Sequence, residues 1–387
     1  MGSFVGHVQS RHGPRGVAGD GWTEPVCSPT MANRSTATAT AAPSGCPDGA
    51  GPGHDPTRRR LLAAGSAVGL ATWIAPQIIS MPAAAAASLP PGFIPFVAVG
   101  SSGAIAWRST DGGITWTATT STFNGVGYSV ATDAAGHWVL GGIGDRSWRS
   151  TDDGTTWAVA TVPANGLAFS MATDGAGTWV AVGSAGSSAW RSLDDGATWT
   201  AAATTITSLA YSVATDGAGT WVAVGTGSAF AWRSIDGGTT WTAATTPPNG
   251  TVYGVATDGA GTWVAVGVNG ALAWRSFDGG VTWTAATTPP NGASYSLATD
   301  GAGTWIAVGG SGSLAWRSTD GGATWSPAAT PISNVGNAVA TDGVGTWVAV
   351  GDSGFAWRST DGGVTWTAAA TPPNGAGRSV AAARLLP

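Results

Sequence analysis

The segment Ala273-Trp-Arg-Ser-Phe-Asp-Gly-Gly-Val-Thr-Trp283 recurs seven times along the chain with little change. Its central aspartates are Asp111, Asp152, Asp194, Asp236, Asp278, Asp320 and Asp361, spaced 41, 42, 42, 42, 42 and 41 residues apart. No other property of the sequence restricts the fold as much as this period. It leaves room for four short strands per unit and suits the blade of a propeller. The core pattern is Ser-x-Asp-x-Gly-x-Thr-Trp, here Ser276, Asp278, Gly280, Thr282 and Trp283. An Asp-Gly-Gly segment between aromatic and β-branched arms signals a hairpin, and Asp or Ser at such a turn binds nearby backbone N–H groups.

Each unit divides in the same way. In the unit around Asp278, strand 1 is expected at 253–257, strand 2 at 263–266, strand 3 at 272–275 and strand 4 at 282–284. Pro289 and Pro290 mark the loop to the next unit, because proline cannot sit in a central strand. The first unit has no strand 1: Phe96-Val-Ala-Val99 corresponds to Trp263-Val-Ala-Val266. The last unit is followed by a surplus strand 1 at 378–383. Every strand type therefore occurs seven times, and the surplus C-terminal strand should complete the N-terminal sheet. The predicted fold is all-β: a closed ring of seven four-stranded antiparallel blades with no exposed edge strand.

The repeated motif resembles the Asp-box, or BNR repeat, of sialidases, sortilin-type receptors and photosystem II assembly factors. In that family the box is a structural hairpin device. The resemblance therefore implies that the seven box aspartates cap turns. Repetition points the same way, since no active site needs seven equivalents. The resemblance also implies that strand 1 lines a central channel, entered from the face of the 4-to-1 and 2-to-3 loops.

The domain plan has three parts. Residues 1–56 are rich in Pro, Gly, Ser, Thr and Ala without apolar periodicity, and read as a disordered segment or an over-extended start. Residues 57–87 combine Thr57-Arg-Arg-Arg-Leu-Leu62, an apolar run and Ala83 to Ala87, the layout of a signal peptide. The arginines followed by Leu-Leu resemble a twin-arginine export signal, which implies secretion or a cell-envelope location in a bacterium. Residues 88–387 form the propeller, expected to be monomeric and without stable membrane insertion once the leader is cleaved.

Cys27 and Cys46 both precede the array, so it has no thiol chemistry. From residue 93 onward it has no Lys or Glu, and ten Arg against seventeen Asp give a net charge of −7. That balance disfavours nucleic acid and anionic membranes as partners. No cofactor, metal site or catalytic residue is expected. The repeated Asp-Gly-x-Gly turns lack the alternating carboxylates of a Ca²⁺ loop.

Scaffold obeys the repeat, whereas a binding site departs from it. Near the start of strand 1 the series runs Tyr128, Phe169, Tyr211, Tyr253, Tyr295, Asn337, Arg378. Five aromatics, an amide and a cation at a channel mouth would suit a glycan or a peptide. Packing between blades is the alternative for the aromatics. Other departures are Asp145, Arg146 and Asp352 in 2-to-3 loops, His137 at a 1-to-2 turn, and Asp153 and Asp195 in place of a box glycine. His137 reads as incidental, and Asp153 and Asp195 as changes of surface only.

These features favour an exported binding or scaffold propeller without catalysis, its ligand a glycan or protein. One alternative is a glycoside hydrolase of sialidase-like type. The chemistry of that family is missing, because the array has no Glu and Gly92-Phe-Ile-Pro95 lacks the arginine of the family segment. Asp145 and Asp352 would be its asymmetric carboxylate pair. A second alternative is an assembly factor resembling the photosystem II type.

Overall fold

The computed structural model describes residues 94–383, apart from 102–104, 122, 124, 143–146, 161–166, 185–187, 205 and 228. The leader at 57–87 lies outside the described residues, as do Asp145 and Arg146. The described residues form seven four-stranded antiparallel sheets. Blade 5 is representative, with strands Thr251–Thr257, Trp263–Val268, Ala273–Ser276 and Thr284–Ala285. The innermost strand of each blade touches those of both neighbours, so the seven run in a closed circle. Closure follows the expected scheme. The C-terminal strand Ala376–Ala382 pairs antiparallel with Phe96–Ser101, placing Val380 opposite Ala98 and Ala382 opposite Phe96.

Several strand boundaries of blade 5 differ from the sequence-based expectation: strand 1 starts at Thr251 rather than 253, and strand 2 runs on to Val268 rather than ending at 266. Strand 3 begins at Ala273, because Leu272 has φ +64°, a left-handed conformation that no strand continues through. Strand 4 begins at Thr284, two residues late, because Thr282 is held inside the box turn by Asp278.

The core lies between blades. Val222 and Val224 of blade 4 pack against Trp263, Trp274 and Trp283 of blade 5. At the seam of the ring, Phe96, Trp107 and Trp116 of blade 1 pack against Val348 and Val350 of blade 7. Three large rings per blade thus fill the wedge between adjacent sheets, where aromatic area contributes most to cohesion.

Polar ties join the same neighbours. On the innermost strands, the hydroxyls of Ser129, Ser170, Ser212, Ser296 and Ser379 accept the N–H of Met171, Val213, Val255, Val339 and Val130 in the next blade, at 2.9–3.3 Å. The last of these crosses the seam. At the outer rim, Trp283 N–H donates to the carbonyl of Thr246 at 2.8 Å, and Trp116 N–H closes the seam on Thr371 at the same distance. The strand-3 arginines add a third tie. Arg108, Arg317 and Arg358 donate through Nε to the box carbonyls of Asp153, Gly362 and Gly112 in the following blade, at 2.7–2.8 Å. The Asn of the 4-to-1 loop adds a fourth, within a blade: Asn249 and Asn291 accept the indole N–H of Trp274 and Trp316 at 3.1 and 2.8 Å.

Candidate functional site

The box explains itself residue by residue. Ser276 is 1% exposed; its hydroxyl accepts Gly280 N–H at 2.9 Å and donates to Asp278 Oδ1 at 2.8 Å. Oδ1 also accepts Thr282 N–H at 2.9 Å, and Oδ2 accepts the Thr282 hydroxyl at 2.6 Å. Gly280 has φ +85°, and a Cβ there would stand 2.7 Å from Val222 Cγ2 of blade 4, so both backbone and packing require glycine. Its carbonyl takes the Trp283 indole N–H at 3.1 Å. All seven boxes bond the aspartate to Ser and Thr in the same way. Partial burial opposes ionisation of Asp278. The hydrogen bonds from Thr282 and Ser276 outweigh it and hold the carboxyl below its usual range. These carboxylates are acceptors already engaged, the state of a turn cap.

The 1-to-2 turns use the same chemistry. Asp258 Oδ1 accepts Ala260 N–H at 2.8 Å and Thr262 N–H at 2.9 Å. Register places these turns and the boxes at one end of each blade, with Trp263 opposite both Thr257 and Ser276. Among the described residues, Asp352 is the one aspartate in a 2-to-3 loop, at the other end. Among the described residues the negative charge is therefore concentrated on the box face.

At that mouth the strand-1 residues come together. Tyr128, Phe169, Tyr211, Tyr253 and Tyr295 form an unbroken chain of ring contacts across five blades, with centroids 5.5, 5.8, 4.9 and 5.6 Å apart. The rings pack between blades and remain only partly buried. Burial, together with the neighbouring Tyr211 and Tyr253–Tyr295 contacts, pushes the Tyr253 phenol up. The arc ends in a polar sector. Asn337 donates through Nδ2 to Asp352 Oδ1 and to the Gly377 carbonyl, both at 2.9 Å. Arg378 Nη1 lies 3.5 Å from the same Asp352 oxygen, with both side chains 42% exposed. Asp352 thus enters the site, a residue the strand-1 series alone did not reveal. The signal for it was its place just after the strand-2 glycine, where blade 6 has Gly310 beneath Tyr295. Asn337 has both amide hydrogens engaged inside the rim, so it positions Asp352. A shallow cleft of about 330 Å³ lies elsewhere, at the outer edge of blade 3 beside Arg191, Asp194 and Thr198, and is built largely on repeat positions.

The departures on the opposite face differ from expectation. His137 is not isolated: its Nδ1 lies 2.7 Å from Asp133 Oδ2. Nor does Asp195 merely alter the surface. It lies 4.0 Å from His137 Nδ1 and 3.5 Å from Arg149 Nη2, because its box position faces the preceding blade. Asp153 and Asp195 adopt φ +57° and +55°, a conformation aspartate tolerates better than most side chains. The asymmetric pair Asp145 and Asp352 cannot be placed together, as Asp145 is outside the described residues.

A ring of seven blades, each sealed by this box, defines an Asp-box β-propeller. The BNR/Asp-box repeat pattern matches residues 107–118 and 316–327. A solved structure titled "YCF48 bound to D1 peptide" is similar at 20% identity and a TM-score of 0.55, over 68% of this chain and 89% of that one. YCF48 from Cyanidioschyzon merolae aligns at 17% identity and a TM-score of 0.50, over 66% and 88% of the two chains. A GH74 xyloglucanase from Xanthomonas campestris reaches 17% identity and a TM-score of 0.39, over 74% and 67%. At such identities the likeness to the YCF48 structures is one of fold. Comparison with curated protein sequences returns no match.

Proposed function

We propose that the chain is an exported, non-catalytic binding propeller whose ligand, a glycan or a protein segment, docks on the channel mouth. The observation that carries this reading is the departure from repeat symmetry at one strand-1 position. An aromatic arc there meets the Asn337–Asp352–Arg378 sector, while Val255, Ala256, Thr257 and their counterparts hardly vary. The partly buried rings, in edge-on and tilted contact with one another, offer apolar area to sugar faces or peptide side chains, and the half-exposed ion pair supplies one donor and one acceptor group. The net charge of −7 over the array does not oppose an anionic ligand here, because its described aspartates lie mostly on the other face. A peptide occupant has support in that one YCF48 structure is described as bound to a peptide, although that partner belongs to YCF48. A hydrolase reading would need free paired carboxylates, and the box aspartates are committed to their own turns.

Glycan and peptide arrays probed with the purified propeller identify the ligand class. Calorimetry then compares two variants. Arg378→Ala should weaken binding at least about tenfold, the scale of one charge-assisted contact. Arg275→Ala, the same change at a repeat position on strand 3, should leave affinity within about twofold. Equal losses, or a footprint on the box face, would refute the mouth as the site. Export is tested separately. Replacing Arg58 and Arg59 together by Lys should block secretion without impairing folding, and undiminished secretion would refute the twin-arginine route.

A further inference from the structure

We propose that Asp133, His137 and Asp195 form a binding site for one divalent transition-metal ion, such as Zn²⁺, held between blades 2 and 3. Two independent departures from the repeat meet there. His137 ends a 1-to-2 turn where other blades have Thr, and Asp195 takes a box position that is Gly in five of the seven boxes. The repeat geometry brings these positions together across a blade boundary. Where blade 7 meets blade 1, a Cβ on Gly112 would lie 3.6 Å from Thr346 Cγ2 and 3.3 Å from Arg358 Nε. The same juxtaposition between blades 2 and 3 therefore sets a carboxylate and an imidazole face to face.

The donor geometry suits a single ion. His137 Nδ1 lies 2.7 Å from Asp133 Oδ2 and 4.0 Å from Asp195 Oδ2, and the three donor atoms all fall within 4.8 Å of one another. Ligand bonds of about 2.0–2.2 Å to N and O allow donor separations up to about 4.4 Å, so a small side-chain adjustment suffices. Asp133 is preorganised: it is 7% exposed, and its Oδ1 is fixed by Ala135 N–H at 2.8 Å and His137 N–H at 3.1 Å. Its Oδ2 is thereby aimed at His137. With metal bound, the His137 proton resides on Nε2 and Nδ1 presents its lone pair in place of the hydrogen bond to Asp133. His137 and Asp195 are 32% and 34% exposed, which leaves an entry path and room for water ligands. Arg149, 3.5 Å from Asp195 Oδ2, orients that carboxylate from the side and competes with the ion, so moderate affinity is expected. Two carboxylates and one imidazole suit Zn²⁺, Mn²⁺ or Co²⁺ and lack the thiolate that would select a softer ion.

The test is zinc uptake by the metal-stripped full chain, measured by equilibrium dialysis beside the variants His137→Thr and Asp195→Gly. Both restore the residue that other blades carry, so folding should be retained, as tryptophan fluorescence will check. The N-terminal segment contains His7, His12, His54, Cys27 and Cys46 and can bind zinc itself, so the site is read as a difference. The wild-type chain should take up about one more equivalent than either variant, and zinc should raise its melting temperature alone. Asp153→Gly, which removes a box carboxylate but spares the three ligands, should behave as wild type. Equal uptake and equal thermal shifts in wild type, His137→Thr and Asp195→Gly would overturn the proposal. So would the same loss in Asp153→Gly, which would reveal general attraction of cations to the acidic face.

Discussion

Ser276 contributes to the box in a way its exposed neighbour Asp278 conceals. The serine hydroxyl is buried and is the acceptor for Gly280 N–H, so removing it strands a buried backbone donor. It also removes one bond to the Asp278 carboxylate. Ser276→Ala should therefore destabilise the propeller by about 1–3 kcal/mol, measured by denaturant unfolding with an unchanged slope. A loss below about 0.5 kcal/mol would show that the turn closes without the serine. Arg378 is the opposite case: its charge lies half in solvent on a rim, where truncation should cost binding and little stability.

The closing strand is the element on which the ring depends. Phe96, Val97, Ala98 and Val99 have no exposed surface, and one of their two flanks is covered by Ala376–Ala382. Ser379 also ties that strand to blade 2 through Val130 N–H. Deleting residues 378–387 leaves an unpaired, wholly apolar edge at the seam, the arrangement that templates intermolecular pairing. The melting temperature should fall on the order of 10 °C, with aggregation on heating. An unaltered melting curve without aggregation would mean that the seam is held by the rim contacts of Trp116 and Arg358 alone.

At the scale of the whole molecule, seven equivalent carboxylates set the response to acid. Each box aspartate is partly buried, which alone would raise its pKa, but hydrogen bonds from the box Thr and Ser outweigh this and lower it. A depressed carboxyl pKa contributes stability that is fully present above the unfolded value, about 3.9, and is lost as pH falls through the lower folded value. Solvent screens each contribution, so single boxes matter little and the seven together shape the curve. The melting temperature should be flat from pH 7 to about 5 and decline steeply toward about pH 3, with net proton uptake on unfolding in that range. A melting temperature independent of pH down to about 3 would show that the boxes do not depend on ionised aspartate.

The period of 42 residues, the missing first strand and the surplus last one determined the blade count and the closure without coordinates, because strand pairing in a ring is a matter of counting. The box was legible for a similar reason: its partners Ser276, Asp278, Gly280 and Thr282 are within six residues, so the turn is local chemistry. Strand ends were less legible, since Leu272 enters a left-handed turn and Thr282 is captured by a carboxylate, neither of which alternation reveals. The candidate mouth was half legible. Repeat arithmetic aligned Tyr128 through Arg378, but only the folded ring showed Asp352 bridging Asn337 and Arg378. The meeting of His137 with Asp195 and the serine ties between innermost strands likewise waited on tertiary structure. The residues concerned lie on separate blades, some forty or more positions apart in the sequence. The sequence repeats a blade, whereas the contacts between blades are fixed by the twist and curvature that bring one sheet against the next.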